Sequence, residues 1–247
     1  MLYVSLFWHP KKHSEGWFLK RYAKNNKKVF FIQIGANDGF ENDLLLKFIF
    51  KYNWKGILVE PQYWVFEKLK QLHQLTRGLI FENAAIVRND GKTTFYKLSF
   101  SESPWATGLS ALRRESLEEK IASGFVDEQA SIEGVKTPEN KTDYIKETQV
   151  TGVSLATLIA RHEVEKVNVL QISACEFDCE IVKMIDTATL HPDIIIFPLP
   201  QSNDLSHEDC LSFLKGIGYL LVQGKKNILA VKEGTFEAPL MEGAKFL

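Results

Sequence analysis

The chain has 247 residues, 45% hydrophobic and 25% charged. That is the composition of an ordinary globular protein and excludes a disordered, collagen-like or coiled-coil chain. Lys and Arg number 30 against 31 Asp and Glu, a formal charge of −1, so composition gives no support for a nucleic-acid or polyanion binder.

The chain opens with an apolar run, Leu2 to Trp8, that has no basic stretch before it and no small-residue cleavage site after it. This predicts neither a signal peptide nor a membrane span, and the expected protein is soluble and cytoplasmic. Residues 1–27 read as an N-terminal extension. Residues 28–35 (KVFFIQIG) form a β-branched and aromatic run ending in glycine, the mark of a buried parallel strand. Helical apolar spacing follows over 42–52, with Asn42 as the expected N-cap. A strand at 56–60 (GILVE), a helix at 63–74, a strand at 79–87 and a half-exposed strand at 93–100 continue the series.

The rhythm breaks over 101–152, which is rich in Ser, Glu, Lys and Thr. One helical piece is expected there, near 112–122, within a long insertion or lid. A helix at 154–162, a strand at 167–173, a helix at about 177–185 and a strand at 193–198 come next. A helix at about 206–216 leads to GYLLVQ and NILAVK, joined by Gly224-Lys225-Lys226 as a tight hairpin. Alternating strands and helices predict a single α/β domain over 1–247, with a parallel sheet covered on both faces and an antiparallel edge strand from the final hairpin. Ligands of such sheets bind beyond the carboxyl ends of the strands.

One segment is the most informative. Gly35-Ala36-Asn37-Asp38-Gly39 lies between the first strand and its helix, and Glu60 ends the second strand, 21 residues after Gly39. Glycines permit close backbone approach, helix-start N–H groups meet anionic groups, and a carboxylate at that distance accepts ribose hydroxyls. Together these predict a nucleoside cofactor. GANDG is not GxGxxG, which disfavours a nicotinamide dinucleotide, and it is not a P-loop, since no Gly-Lys-Ser or Gly-Lys-Thr follows.

FIQIGANDGFENDLL, WKGILVEPQ, FENAAIV, TTFY, VNVLQI with FDCEIVK, DIIIF and the closing GYLL and NILAV together resemble the FkbM-type methyltransferases over roughly residues 28–232. The resemblance implies a Rossmann-like class I methyltransferase fold: a seven-stranded, mostly parallel sheet with its last strand antiparallel and helices on both faces. It also implies S-adenosylmethionine as cofactor. Gly35, Ala36, Asn37, Asp38 and Gly39 match the loop that holds its methionine part, Glu60 and Pro61 the ribose site, and Asn83, Ala84 and Ala85 the turn at the adenine edge. Gln33 stands where many class I enzymes place an acid near the cofactor's amino group, and an amide also accepts a hydrogen bond. The implied acceptor is a hydroxyl of a glycan, glycolipid or natural product. No nucleic-acid partner is expected, and Trp105 is either a stacking surface for a sugar ring or part of the core.

The chain departs from the family pattern after its fourth main strand. Ile172-Ser173-Ala174-Cys175-Glu176-Phe177-Asp178 carries Ser173 where the family has aspartate, Cys175 where it has glutamate and Glu176 where it has glycine, and Phe197 is followed by Pro198. Proton removal from an acceptor hydroxyl needs a base or a metal. The candidate catalytic positions are therefore Asp178, Glu176 and Ser173, with Glu180 and His191 nearby. Cys175 is a nucleophile only if an activating partner stands beside it, and otherwise a structural thiol. Three cysteines (Cys175, Cys179, Cys210) without CxxC spacing predict no disulfide framework and no metal site. The alternative function is a methyltransferase-fold protein that binds the cofactor without efficient transfer.

Overall fold

The computed structural model describes residues 8–200 and 205–247, so the Leu2–Phe7 part of the N-terminal apolar run lies outside the described residues. In chain order the elements are α1 (Glu15–Asn25), β1 (Phe30–Ile34), α2 (Leu46–Tyr52), β2 (Lys55–Val59), α3 (Tyr63–Leu72), β3 (Leu79–Glu82), β4 (Ala85–Ile86) and β5 (Gly91–Leu98). Then come α4 (Pro104–Thr107), α5 (Arg114–Ala122), α6 (Phe125–Ile132), β6 (Ile145–Val153), α7 (Leu155–Arg161), β7 (Val169–Ile172), α8 (Asp178–Val182) and β8 (Ile194–Pro198). The chain closes with α9 (Leu205–Gly216), β9 (Tyr219–Gln223), β10 (Asn227–Lys232) and α10 (Ala238–Met241).

The main sheet has seven strands in the order β3-β2-β1-β7-β8-β10-β9. The pairs among β3, β2, β1, β7 and β8 are parallel, and β10 runs antiparallel to both β8 and β9. A seven-stranded, mostly parallel sheet with its last strand, β10, antiparallel is what the resemblance implies. The antiparallel strand is therefore inside the sheet and β9 forms the edge, a correction to the expected edge position. The hairpin itself is as read, closed by Gly224 N–H donating to Asn227 O at 2.8 Å.

Alternation along the strands builds two cores, because successive side chains point to opposite faces. Ile32, Ile34, Ile57 and Val59 join Leu155, Leu158, Ile181 and Leu214 on one face. Phe31, Leu58 and Val169 join Phe18, Phe48, Leu69 and Met241 on the other. The N-terminal extension thus contributes a helix, α1, to the second core. Ser14 caps it by accepting from Trp17 N–H at 3.3 Å, and Glu15 Oε1 accepts from the Lys226 and Asn227 N–H groups of the β9–β10 turn at 3.0 and 3.1 Å.

Three local expectations change. Asn42 is not the cap of α2; it sits at φ 56°, and Asp43 Oδ1 instead accepts from the N–H of Leu45 and Leu46 at 2.6 and 2.9 Å. The 79–87 strand is two strands in two sheets, broken at Asn83–Ala84. The 101–152 segment carries far more structure than one helix. Its β6 pairs antiparallel with β5 from Gly91↔Gly152 to Leu98↔Ile145 and parallel with β4, forming a second, three-stranded sheet. Leu98, Leu117, Val126 and Tyr144 pack into a small core of their own beneath it.

Candidate functional site

The carboxyl ends of β1, β2 and β7, together with residues of the 104–112 segment, enclose a cavity of about 350 Å³. Of the expected site residues, Gln33, Gly35, Ala36, Asn37, Glu60, Pro61, Ala84 and Ser173 line it. Asp38, Gly39, Asn83, Glu176 and Asp178 lie outside its lining.

Gly35 sets the approach of two strand ends. It adopts φ 74°, and a Cβ there would stand 1.9 Å from the carbonyl oxygen of Ser173. Only glycine fits both conditions. Gly35 and Ala36 N–H groups donate to Val59 O, both at 3.0 Å, which locks the loop after β1 to the end of β2. Asp38 and Gly39 serve the turn itself. Asp38 Oδ1 accepts from Phe40 and Glu41 N–H at 2.9 and 3.1 Å, and Gly39 (φ 72°) leaves room for Leu69.

Glu60 is a buried carboxyl of the site, 3% exposed. Its Oε2 accepts from Asn37 N–H at 3.0 Å, and its Oε1 from the N–H and Nε2 of Gln62 at 2.9 and 3.2 Å. Burial outweighs these donors and pushes its carboxyl up to about 7. Asn83 acts on the backbone behind it: Nδ2 donates to the carbonyls of Glu60 and Pro61 at 2.8 and 3.1 Å.

A second polar group stands at the end of β1. Gln33 Nε2 donates to Asp43 Oδ2 at 3.0 Å, and burial raises Asp43 to about 6. Gln33 Oε1 is buried without a partner, as is Oε1 of Gln171, the residue in register with Gln33 on β7. All three side chains line the cavity, and among its described lining residues there is no Lys, Arg or His. Three converging oxygens without a protein cation suit a ligand that brings its own N–H or ammonium group. Sequence reasoning missed Asp43 and Gln171. The available signal was a glutamine inside each of two otherwise apolar strands, FFIQIG and VNVLQIS.

The mouth differs from expectation. Asp178 is 8% exposed, and its oxygens accept from Ala174 and Glu176 N–H at 2.7 and 3.2 Å. It holds the β7–α8 turn and does not line the cavity. Glu176 is exposed at φ 69° and also outside the lining. Glu180 pairs with Arg88, and the His191 ring packs edge-on against Tyr219 at 5.5 Å; neither reaches the cavity. The Cys175 thiol donates to Gly108 O at 2.9 Å and burial pushes it up to about 12, which makes it a poor nucleophile.

The 104–110 segment is strapped across the strand ends. Asn37 Nδ2 donates to Pro104 O at 3.3 Å and Thr107 Oγ1 to Asn37 Oδ1 at 2.9 Å. Gln62 Nε2 donates to Thr107 O and Ser110 Oγ to Gln62 Oε1, both at 3.0 Å. With the Cys175 thiol, this strap is tied to the loops after β1, β2 and β7. Trp105, Leu109 and Phe125 supply the apolar wall on that side, and the Trp105 Nε1–H is buried without a partner. No group of three or more His, Cys, Asp or Glu side chains arranged to hold a metal occurs among the described residues, and none of their helices is long and apolar enough to cross a membrane.

No protein-family model matches the chain, and no curated protein matches it. Solved structures similar in outline include precorrin-6y C5,15-methyltransferase from Geobacter metallireducens, 11% identical over 92% of this chain and 94% of that one with a TM-score of 0.38. A methyltransferase from Pyrococcus furiosus is 13% identical over 93% and 92%, TM-score 0.38. An rRNA methylase from Streptococcus thermophilus is 8% identical over 92% and 99%, TM-score 0.39.

Proposed function

We propose that this chain is an S-adenosylmethionine-dependent methyltransferase of FkbM type that methylates a hydroxyl of a glycan, glycolipid or natural-product acceptor. The observation that carries the cofactor is the pairing of a buried carboxylate, Glu60, at the end of β2 with a glycine, Gly35, that no other residue can replace at the end of β1.

The residues present fit the cofactor. Glu60 retains lone pairs beyond its three protein donors, enough to accept ribose hydroxyls. The unpartnered Oε1 atoms of Gln33 and Gln171, with Asp43 behind Gln33, are acceptors for the ammonium of the methionine part. Ala84, Ala85, Ile86 and Phe95 offer an apolar bed for a purine. When bound, the cofactor supplies a methyl group made electrophilic by its sulfonium. The chain's own work is to orient and to exclude water: the strap closes the strand ends, and its apolar residues shield the cavity on the acceptor side.

A second reading is favoured by one observation. Asp178 spends both oxygens on backbone N–H groups. On this reading the protein binds the cofactor without efficient transfer. Titration with S-adenosylmethionine and S-adenosylhomocysteine tests the shared claim. The two readings then separate on methyl transfer to glycan acceptors by the chain and by its Ser173→Asp/Cys175→Glu/Glu176→Gly variant: activity gained only in the variant selects the second.

A further inference from the structure

A second cavity, about 370 Å³, lies on the far side of the Gln62–Thr107–Ser110 wall. Those three residues line both cavities. Its outer wall is the start of α3, where Tyr63 and Trp64 are 59% and 66% exposed, and their rings meet edge-on at 5.6 Å. Lys68, one helical turn from Trp64, shares this wall. The opposite wall is the β5–β6 sheet, which contributes Lys97, Lys146 and Thr148.

Two features of this groove lack a structural explanation. Lys97 and Lys146 are register partners on adjacent antiparallel strands, so two like charges stand directly opposite each other, an arrangement that destabilises a sheet. Among the described residues Lys97 pairs with Glu102 at 3.7 Å, which itself lines the groove, and no carboxylate pairs with Lys68 or Lys146. In a chain of net charge −1, three ammonium groups from three elements and a single carboxylate, that of Glu102, thus line one groove. The second feature is Trp64, a large flat apolar surface left to solvent beside them.

We propose that this groove binds an anionic saccharide, a sugar bearing a phosphate or carboxylate, as the remote part of the acceptor. The assignment of acceptor rests on the methyltransferase reading; the binding does not. Trp64 offers a stacking face for a sugar ring, Thr148 offers a hydroxyl to hydrogen-bond its substituents, and the lysines neutralise the anionic group. The intervening wall keeps this ring out of the first cavity. An acceptor of more than one ring is then needed to span from the groove to the first cavity, a use of remote binding energy for positioning.

The test is titration of the full chain with glucose 6-phosphate and sialyllactose, with glucose and lactose as neutral counterparts, and with inorganic phosphate and oligothymidylate, read by calorimetry and tryptophan fluorescence. At least one anionic sugar is expected to bind at least tenfold more tightly than its neutral counterpart and than phosphate. That binding should weaken as salt rises, and at least fivefold in both Trp64→Ala and Lys146→Gln, with S-adenosylhomocysteine binding unchanged. Both substitutions are at exposed positions, and the wild-type series is informative without them. Equal binding of charged and neutral sugars, undiminished binding in both variants, or tighter binding of oligothymidylate overturns the proposal. So does binding of no sugar by protein that binds S-adenosylhomocysteine. Loss of S-adenosylhomocysteine binding with sugar binding intact counts against the cofactor reading alone.

Discussion

Gln33 and Gln171 stand in register on β1 and β7, each with a buried Oε1 that no group of the described residues satisfies. A buried unpaired carbonyl costs free energy, so a ligand that supplies the missing donors is held by the same groups that weaken the free protein. Gln171→Leu is expected to stabilise the ligand-free chain by roughly 1 kcal/mol and to weaken S-adenosylhomocysteine binding at least tenfold. Urea unfolding and calorimetry read the two effects. A variant with wild-type affinity would remove Gln171 from the site.

Gly35→Ala tests the contact between strand ends. The added Cβ meets the Ser173 carbonyl at 1.9 Å in a backbone region that side chains avoid. A loss of about 3 kcal/mol or more is expected, together with loss of cofactor binding. A shift of the urea midpoint equivalent to less than about 1 kcal/mol would show that the loop relaxes freely and that the close approach is not required.

Glu176→Gly tests the altered mouth from the opposite direction. Glu176 holds φ 69° and Cys175 φ 44°. Relieving the left-handed strain at 176 gains more than the added unfolded-state entropy costs, a net stabilisation of about 0.5–1 kcal/mol. An unchanged or lowered melting temperature contradicts this account of the turn.

Stability should also depend on pH through two buried groups of opposite sign. Burial raises Glu60 from 4.5 to about 7, so the native state holds its proton more tightly than the unfolded chain. This contribution is present below about pH 4.5 and is lost as pH rises towards 7. His73, 1% exposed with both ring nitrogens unpartnered, is pushed down to about 4, and its contribution is lost as pH falls from 6.5 to 4. Comparison with single variants separates them. Glu60→Gln should gain on the wild type by about 2–3 kcal/mol between pH 5 and 8, whereas His73→Phe should gain on it between pH 6.5 and 4. Parallel stability curves for Glu60→Gln and wild type would mean that the carboxyl titrates normally.

What was legible in the sequence follows from the range over which each signal acts. The strand KVFFIQIG and its glycine loop depend on local pattern and emerged within two residues of their observed bounds. The antiparallel position of NILAVK inside the sheet depends on a partner, Phe197, about 30 residues away, which no local pattern encodes. The same holds for β6: its alternation is clear only once β5 is opposite it. That Glu60 and Gly35 would meet at one cavity was legible because a glycine loop and a strand-ending acid have fixed spacing. Asp43 was hidden by its neighbour, since Asn42 and Asp43 are both good caps and only the backbone decides between them. Asp178 read as a base because its residue type permits it, whereas its hydrogen bonds to Ala174 and Glu176 give it to the turn.

S-adenosylmethionine is the proposed ligand of the cavity between β1, β2 and β7, and the deciding experiment is calorimetric titration of the full chain with S-adenosylmethionine and S-adenosylhomocysteine, with NAD as control. Micromolar binding of the first two, none of NAD, and affinity reduced at least tenfold by Glu60→Ala are expected. Binding of neither thioether nor sulfonium, or equal binding of NAD, would contradict the proposal.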